Sequence, residues 1–183
     1  MHEAVQRESK AARDSAGILD ASTLGKIDIQ GTDASEFLNR VYTNAWSKLA
    51  IGKCRYGLML NEDGMVYDDG VTTRLDENHY IMTTTTGGAA TVLGKLEDYL
   101  QTEWPELDVY LTSVTDHYAT VSVCGPNSRK IVSQVIPDLD FSDENFPHMS
   151  FKNAKIGKIK CRVMRISFTG EQSYEINVQA NYG

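Results

Sequence analysis

Two adjacent carboxylates, Asp68 and Asp69, follow an Asp63-Gly64 turn in a run rich in Val, Tyr, Thr and Met that otherwise suits a pleated strand. Successive strand residues face opposite sides of a sheet, so one of the pair is expected to face inward. A carboxylate on an inner face is costly unless it is hydrogen-bonded or titrates, and such a group is suited to binding a polar ligand or moving a proton. The same pair also reads as a solvated strand edge or turn cap, and the residue types alone leave both readings open. Other chemistry finds little support. His2, His79, His117 and His148 are scattered without ligand spacing, and Cys54, Cys124 and Cys161 form no C-x-x-C. Neither a metal site nor a disulfide framework is expected, and the cysteines read as small buried hydrophobes. Nor is a Ser-His-Asp or Cys-His arrangement justified. Gly87-Gly88 lacks the glycine patterns that cradle phosphate, so Thr83–Thr86 with these glycines reads as a ligand-lining loop of small hydroxyl residues.

The elements that must hold these residues follow from periodicity. Residues 3–15 have helix-favouring composition with a thin apolar face. Gly17-Ile18-Leu19-Asp20 reads as a break after this helix, and Leu24, Ile27 and Ile29 alternate with polar residues as a strand ending at Gly31. Asp33 and Glu36 have the spacing of a capping box ahead of a helix whose apolar face is Phe37, Leu38, Val41 and Tyr42. Tyr56–Arg74 predicts a hairpin, and His79–Thr83 a third strand completing a meander. Helices are expected over Ala89–Gln101 and after Gly125-Pro126, and strands over Leu107–Val114, His117–Cys124, Lys158–Ser167 and Tyr174–Val178. Pro137–Pro147 reads as an acidic loop. Without strict βαβ alternation, the pattern predicts an α+β fold of mainly antiparallel sheet with packed helices.

The chain has 183 residues, 41% of them hydrophobic, enough for one sizeable core or two small ones. Its formal net charge of -7 argues against a phosphate-neutralising surface, so no nucleic-acid partner is expected. Neither a signal peptide nor an apolar run of ~20 residues is visible, and a cytoplasmic protein without a membrane partner is expected.

The run Tyr-Gly-Leu-Met-Leu-Asn-Glu-Asp-Gly-Met-Val-Tyr-Asp-Asp-Gly-Val-Thr-Thr-Arg from Tyr56 to Arg74 resembles the tetrahydrofolate-binding segment of the aminomethyltransferase (glycine cleavage T-protein) family. The likeness continues, in the family's order, through Gly17–Leu24, Ala34–Arg40, Gly125–Asn127 and Thr169–Glu175, and is greatest to the folate domain of sarcosine oxidase alpha subunits. It implies the aminomethyltransferase folate-binding fold, with residues 1–25 plus 130–183 as one subdomain and 26–129 inserted as a second. Members of the family run on past the position matching Gly183, so a partial folate domain, truncated at its C-terminus and inactive by itself, is expected. The resemblance implies tetrahydrofolate as the ligand of this domain, FAD, FMN and NAD in other parts of the assembly, and other sarcosine oxidase subunits as partners. Asp69, rather than Asp68, matches the aspartate near the reactive folate nitrogens, Glu175 the pterin-edge glutamate, and Tyr56 a binding-site tyrosine whose ring can form an apolar wall. Phe168 and Thr73 stand where aminomethyltransferases carry tyrosines. The implied activity is trapping of the imine from flavin-dependent sarcosine oxidation as 5,10-methylenetetrahydrofolate, with glycine and hydrogen peroxide as products. A free aminomethyltransferase of the glycine cleavage system and a non-catalytic folate-binding module are the alternatives.

Overall fold

The computed structural model describes residues 2–183. In chain order its main elements are α1 (His2–Asp14), β1 (Gly17–Asp20), β2 (Gly25–Gln30), α2 (Ala34–Val41), β3 (Cys54–Leu60), β4 (Val66–Asp76), β5 (His79–Thr84), α3 (Ala89–Asp98), β6 (Tyr110–Ser113), β7 (Tyr118–Cys124), α4 (Ser128–Val135), β8 (Ser150–Ile156), β9 (Ile159–Arg165) and β10 (Ser173–Gln179). They form two five-stranded sheets, ordered β1-β7-β10-β9-β8 and β3-β4-β5-β2-β6, in which every pairing is antiparallel. The α+β expectation therefore holds. The chain divides into two compact units, one running to Ser22 and resuming over His117–Gly183, the other continuous over Thr23–Asp116.

The continuous unit is built on the expected meander of β3, β4 and β5, to which β2 adds beside β5 and β6 beside β2. Strand alternation sends Ile27, Ile29, Met59, Tyr80 and Met82 into one core with Phe37 and Leu38 of α2, Val92 and Leu96 of α3, and Trp46. Lys26, Tyr56, Asp69, Val71 and Thr83 consequently lie on the opposite face of that sheet. The Asp33 side chain makes no cap bond at α2; it accepts instead from the Asp108 N–H at 2.9 Å, so the expected capping box gives way to a tie across the loop before β6. Helix α3 ends at Asp98, and its last turn widens into a π-helical turn over Tyr99–Glu103.

In the discontinuous unit, Val123, Val163, Tyr174 and Ile176 pack with Val132 and Ile136. The expected loop over Pro137–Pro147 is observed, but it is not solvated throughout, because Phe141 and Phe146 are buried against the Tyr174 ring at centroid distances of 5.3 and 5.9 Å. Two strands escape the sequence reading. Gly17–Asp20 pairs with β7 rather than only ending a helix, and Ser150–Ile156, rich in Lys and Asn, becomes an edge strand, where charged residues are common.

Beside Asp69, β4 and β5 approach so closely that a Cβ on Gly70 would lie 1.8 Å from the Thr83 carbonyl oxygen. There the Thr83 hydroxyl stands in for a ladder bond, accepting from the Val71 N–H at 3.0 Å and lying 3.2 Å from the Val71 carbonyl. Gly70→Ala is expected to destabilise the chain at the upper end of the ~1–3 kcal/mol overpacking range, because the obstructing atom is backbone. Urea unfolding followed by circular dichroism checks this; an unchanged midpoint would show that β5 can yield.

Candidate functional site

The hairpin register decides what each carboxylate can do. Asn61 organises the turn, its Oδ1 accepting from the Asp63 and Met65 N–H groups, while Gly64 takes φ +76° and Asn61 N–H bonds the Met65 carbonyl at 2.9 Å. A register shift between Met59 and Leu60 then sets Met59 opposite Asp68 and Leu58 opposite Asp69. Met59 belongs to the core, so Asp68 is the member of the pair that faces inward, with 4% of its surface exposed.

Asp68 is held by the loop after β5. Thr85 donates its hydroxyl to Oδ1 at 2.6 Å and its backbone N–H to Oδ2 at 3.3 Å, and the Thr85 hydroxyl accepts in turn from the Gly88 N–H at 3.1 Å. A Cβ on Gly88 would lie 2.6 Å from Asp68 Oδ1, so the second glycine of Gly87-Gly88 leaves room for the carboxylate. Burial pushes the Asp68 carboxyl up from the ordinary value of 3.8, the Thr85 bonds opposing the shift and the neighbouring Asp69 charge adding to it. Tyr42 bridges to Met59, the residue opposite Asp68; its hydroxyl is buried without a hydrogen-bond partner among the described residues, and burial first, then the Asp68 and Asp69 charges, raises its pKa. Sequence reasoning missed Thr85 and Tyr42 as individuals; the Thr83–Thr86 run was the available signal for the first.

Asp69 lies on the opposite face, where it accepts at Oδ2 from the Tyr56 hydroxyl at 2.9 Å. The structure thus brings Tyr56 and Asp69 together across β3 and β4. The Tyr56 ring is 48% exposed, and the bond to Asp69 is the main reason that its pKa is raised, so the phenol remains a donor. On the same face, Lys26 is buried beside Thr83 and donates from Nζ to the Leu24 carbonyl at 2.9 Å. A lysine alternating with Ile27 and Ile29 was its only sequence signal. Thr73 is buried and donates to Cys54 Sγ at 3.2 Å, in the same row of the sheet.

Glu175 and Phe168 belong to the discontinuous unit. Glu175 is 7% exposed, between Ser122 of β7 and Met164 of β9, on the face of β10 turned away from Tyr174 and Ile176. Phe168 sits in the connection after β9 and is 87% exposed. Among the described residues no group of three or more His, Cys, Asp or Glu side chains is placed to hold a metal ion, and no helix is long and apolar enough to cross a membrane.

The raised carboxyl of Asp68 binds its proton more tightly in the folded than in the unfolded chain. Its contribution to stability is therefore full below the ordinary value of 3.8 and is lost as pH rises from there through the raised folded value. Asp68→Asn, which can still accept from Thr85, is expected to flatten that part of the stability-against-pH curve and to leave the chain at least as stable at pH 7. Urea midpoints across the acid range check this; equal slopes for parent and variant would remove Asp68 as the titrating group.

The chain is 56% identical, over its whole length, to sarcosine oxidase subunit alpha of Corynebacterium sp. strain U-96 and spans 19% of that protein. In fold it matches the glycine cleavage system aminomethyltransferase T of Bartonella henselae, with TM-score 0.82 and 23% identity over 98% of this chain and 46% of that one. It also matches a chain of the heterotetrameric sarcosine oxidase of Corynebacterium sp. U-96, with TM-score 0.63 and 14% identity over 99% of this chain and 85% of that one. The family model described as the GCVT N-terminal domain matches residues 1–183, and the chain belongs to that family.

Proposed function

We propose that this chain is the tetrahydrofolate-binding part of a sarcosine oxidase alpha subunit, working in an oxidoreductase assembly with other subunits. The observation that carries the reading is the division of labour in the carboxylate pair. Asp68 is committed to the core face and its Thr85 bonds, whereas Asp69 stands on the other face with an exposed tyrosine ring beside it. Identity of 56% to a sarcosine oxidase subunit alpha supports the choice of assembly over a free aminomethyltransferase.

The residues present suit a pterin. Such a ligand offers a flat face and an edge of N–H donors; within the continuous unit the exposed Tyr56 ring suits the flat face, and within the discontinuous unit Phe168 is an exposed ring and Glu175 a carboxylate acceptor of the strong, orienting kind, each taken separately as the resemblance assigns it. Tetrahydrofolate, when bound, supplies the nitrogen nucleophiles that take up the one-carbon unit of the imine left by flavin-dependent oxidation of sarcosine, giving 5,10-methylenetetrahydrofolate and releasing glycine. Hydrogen peroxide, the other product, would arise outside this chain, in the parts of the assembly that would hold FAD, FMN and NAD. Within this chain, Asp69 accepts the proton lost by the attacking nitrogen or stabilises its developing positive charge. Tyr56, by donating to Oδ2, fixes the carboxylate and leaves Oδ1 as the acceptor. The reading places the protein in one-carbon metabolism in the cytoplasm.

In the complete enzyme, Asp69→Asn is expected to lower the methylenetetrahydrofolate yield per turnover by ~10²–10⁴-fold, the usual worth of a positioned acid or base, while sarcosine oxidation continues. Stopped turnover assays with product analysis check this. An undiminished yield with Asp69→Asn, together with a lost yield in Asp68→Asn, would move the role to Asp68. Anaerobic calorimetry with tetrahydrofolate tests the ligand itself: loss of binding in Glu175→Ala is expected, and failure of the intact enzyme to bind removes the folate reading.

A further inference from the structure

A second polar system lies in the discontinuous unit, on the face of its sheet turned away from the Tyr174 core. Thr120, Asn177, Arg162 and Asn153 stand directly opposite one another on β7, β10, β9 and β8, forming one row across four strands. Thr120 donates to Asn177 Oδ1 at 2.7 Å, which fixes the amide and aims its Nδ2 donor away from Thr120. That Nδ2 is buried without a hydrogen-bond partner, in a residue only 4% exposed, and the neighbouring Arg162 Nε is likewise buried and unpartnered. Buried donors of this kind are rare in folded proteins and call for a partner.

Arg162 is also exceptional among the arginines of its unit. Arg7, Arg13, Arg129 and Arg165 each meet a carboxylate, whereas Arg162 has no ion pair among the described residues. Its guanidinium lies instead near two rings, 5.9 Å from the centre of Tyr118 and 5.8 Å from that of Phe151. Aromatic neighbours hold the fork in place without satisfying its N–H groups. Arg162 and Asn177 line a groove of about 960 Å³, to which Lys155, Lys158 and Lys160 bring three further positive charges and Asp138 a single negative one. Lys160 and Arg162 share a strand face, which spaces them ~6.6 Å apart, the repeat of alternate side chains in an extended peptide.

We propose that this groove binds an extended acidic peptide segment of a partner polypeptide, with carboxylates at alternate positions. Arg162 supplies the bidentate fork, Asn177 the adjacent amide donor, and the lysines of the β8–β9 hairpin the steering charge. A single small anion would satisfy the row but leave the three lysines of so large a groove without a role. The inference uses no residue assigned to folate, so it stands or falls separately from that reading.

Fluorescence anisotropy of a labelled octapeptide alternating Glu and Ser, titrated with the 183-residue chain in 50 mM and 300 mM NaCl, tests the proposal. Saturable binding is expected, weakened at the higher salt, reduced at least tenfold by Arg162→Gln and similarly by Asn177→Asp, which replaces the Nδ2 donor by a carboxylate oxygen that repels the ligand's. Circular dichroism confirms the fold of each variant; should Arg162→Gln unfold, the exposed-site double variant Lys155→Gln/Lys160→Gln must weaken binding instead. No saturable binding in 50 mM NaCl, binding indifferent to these substitutions, or equal affinity for a serine octapeptide would overturn the proposal. Displacement by inorganic phosphate at equal molar concentration would assign a small-anion site, and salt-sensitive dimerisation in sedimentation velocity would assign the face to a second copy of the chain; either also overturns it.

Discussion

The register of the β3–β4 hairpin is the constraint on which the site depends. Strand side chains alternate, so a slip of one residue would send Asp69 to the core and Asp68 to the other face. Three local features prevent it. The Asn61 side chain bonds the backbone of its own turn, Gly64 adopts a left-handed conformation that side chains resist, and the bulge after Met59 absorbs the odd residue. Further along, Gly70 and Thr83 press β4 against β5 where no larger residue fits, which transmits the setting of the hairpin to the rest of the sheet.

The two carboxylates illustrate how one dipeptide can serve packing and chemistry at once. Asp68 spends its hydrogen-bonding capacity on the loop after β5, and that loop opens α3, so the inward carboxylate ties strand, loop and helix together. Asp69 is thereby left outside this internal network, its side chain accepting instead from the Tyr56 hydroxyl of the neighbouring strand. Repulsion between adjacent like charges is eased because burial favours the protonated form of the inner member.

Much of this was legible in the sequence. Asp63-Gly64 between apolar runs announced the hairpin, and alternation required that one of Asp68 and Asp69 turn inward. Which one it would be was not legible from alternation, because the bulge between Met59 and Leu60 resets the count and leaves no residue-type signature. Strand Ser150–Ile156 was invisible for a different reason: it is an edge strand whose exposed Lys152, Asn153 and Lys155 look like loop, while Ala154 and Ile156 alone mark the side packed on the core. Asp33 and Glu36 gave the correct helix start with the wrong partner, since a distant N–H at Asp108 outcompeted the local one. Phe141 and Phe146 were masked by the acidic residues around them, although an aromatic pair is itself a sign of burial.

The discontinuity of the first unit has a consequence for how the chain reaches this state. Gly17 of β1 pairs with Cys124 of β7, so the sheet must close a loop of roughly a hundred residues, an entropic cost that grows as about (3/2)RT ln n. The intervening unit shortens that search. Its first strand, β2, pairs with its last, β6, and Val114 N–H reaches the Lys26 carbonyl at 2.8 Å, so the unit's own closure brings its entry and exit together. Folding of Thr23–Asp116 ahead of the sheet that flanks it converts a long-range encounter into a short-range one, and vectorial synthesis favours the same order, because β7, β8, β9 and β10 all emerge later.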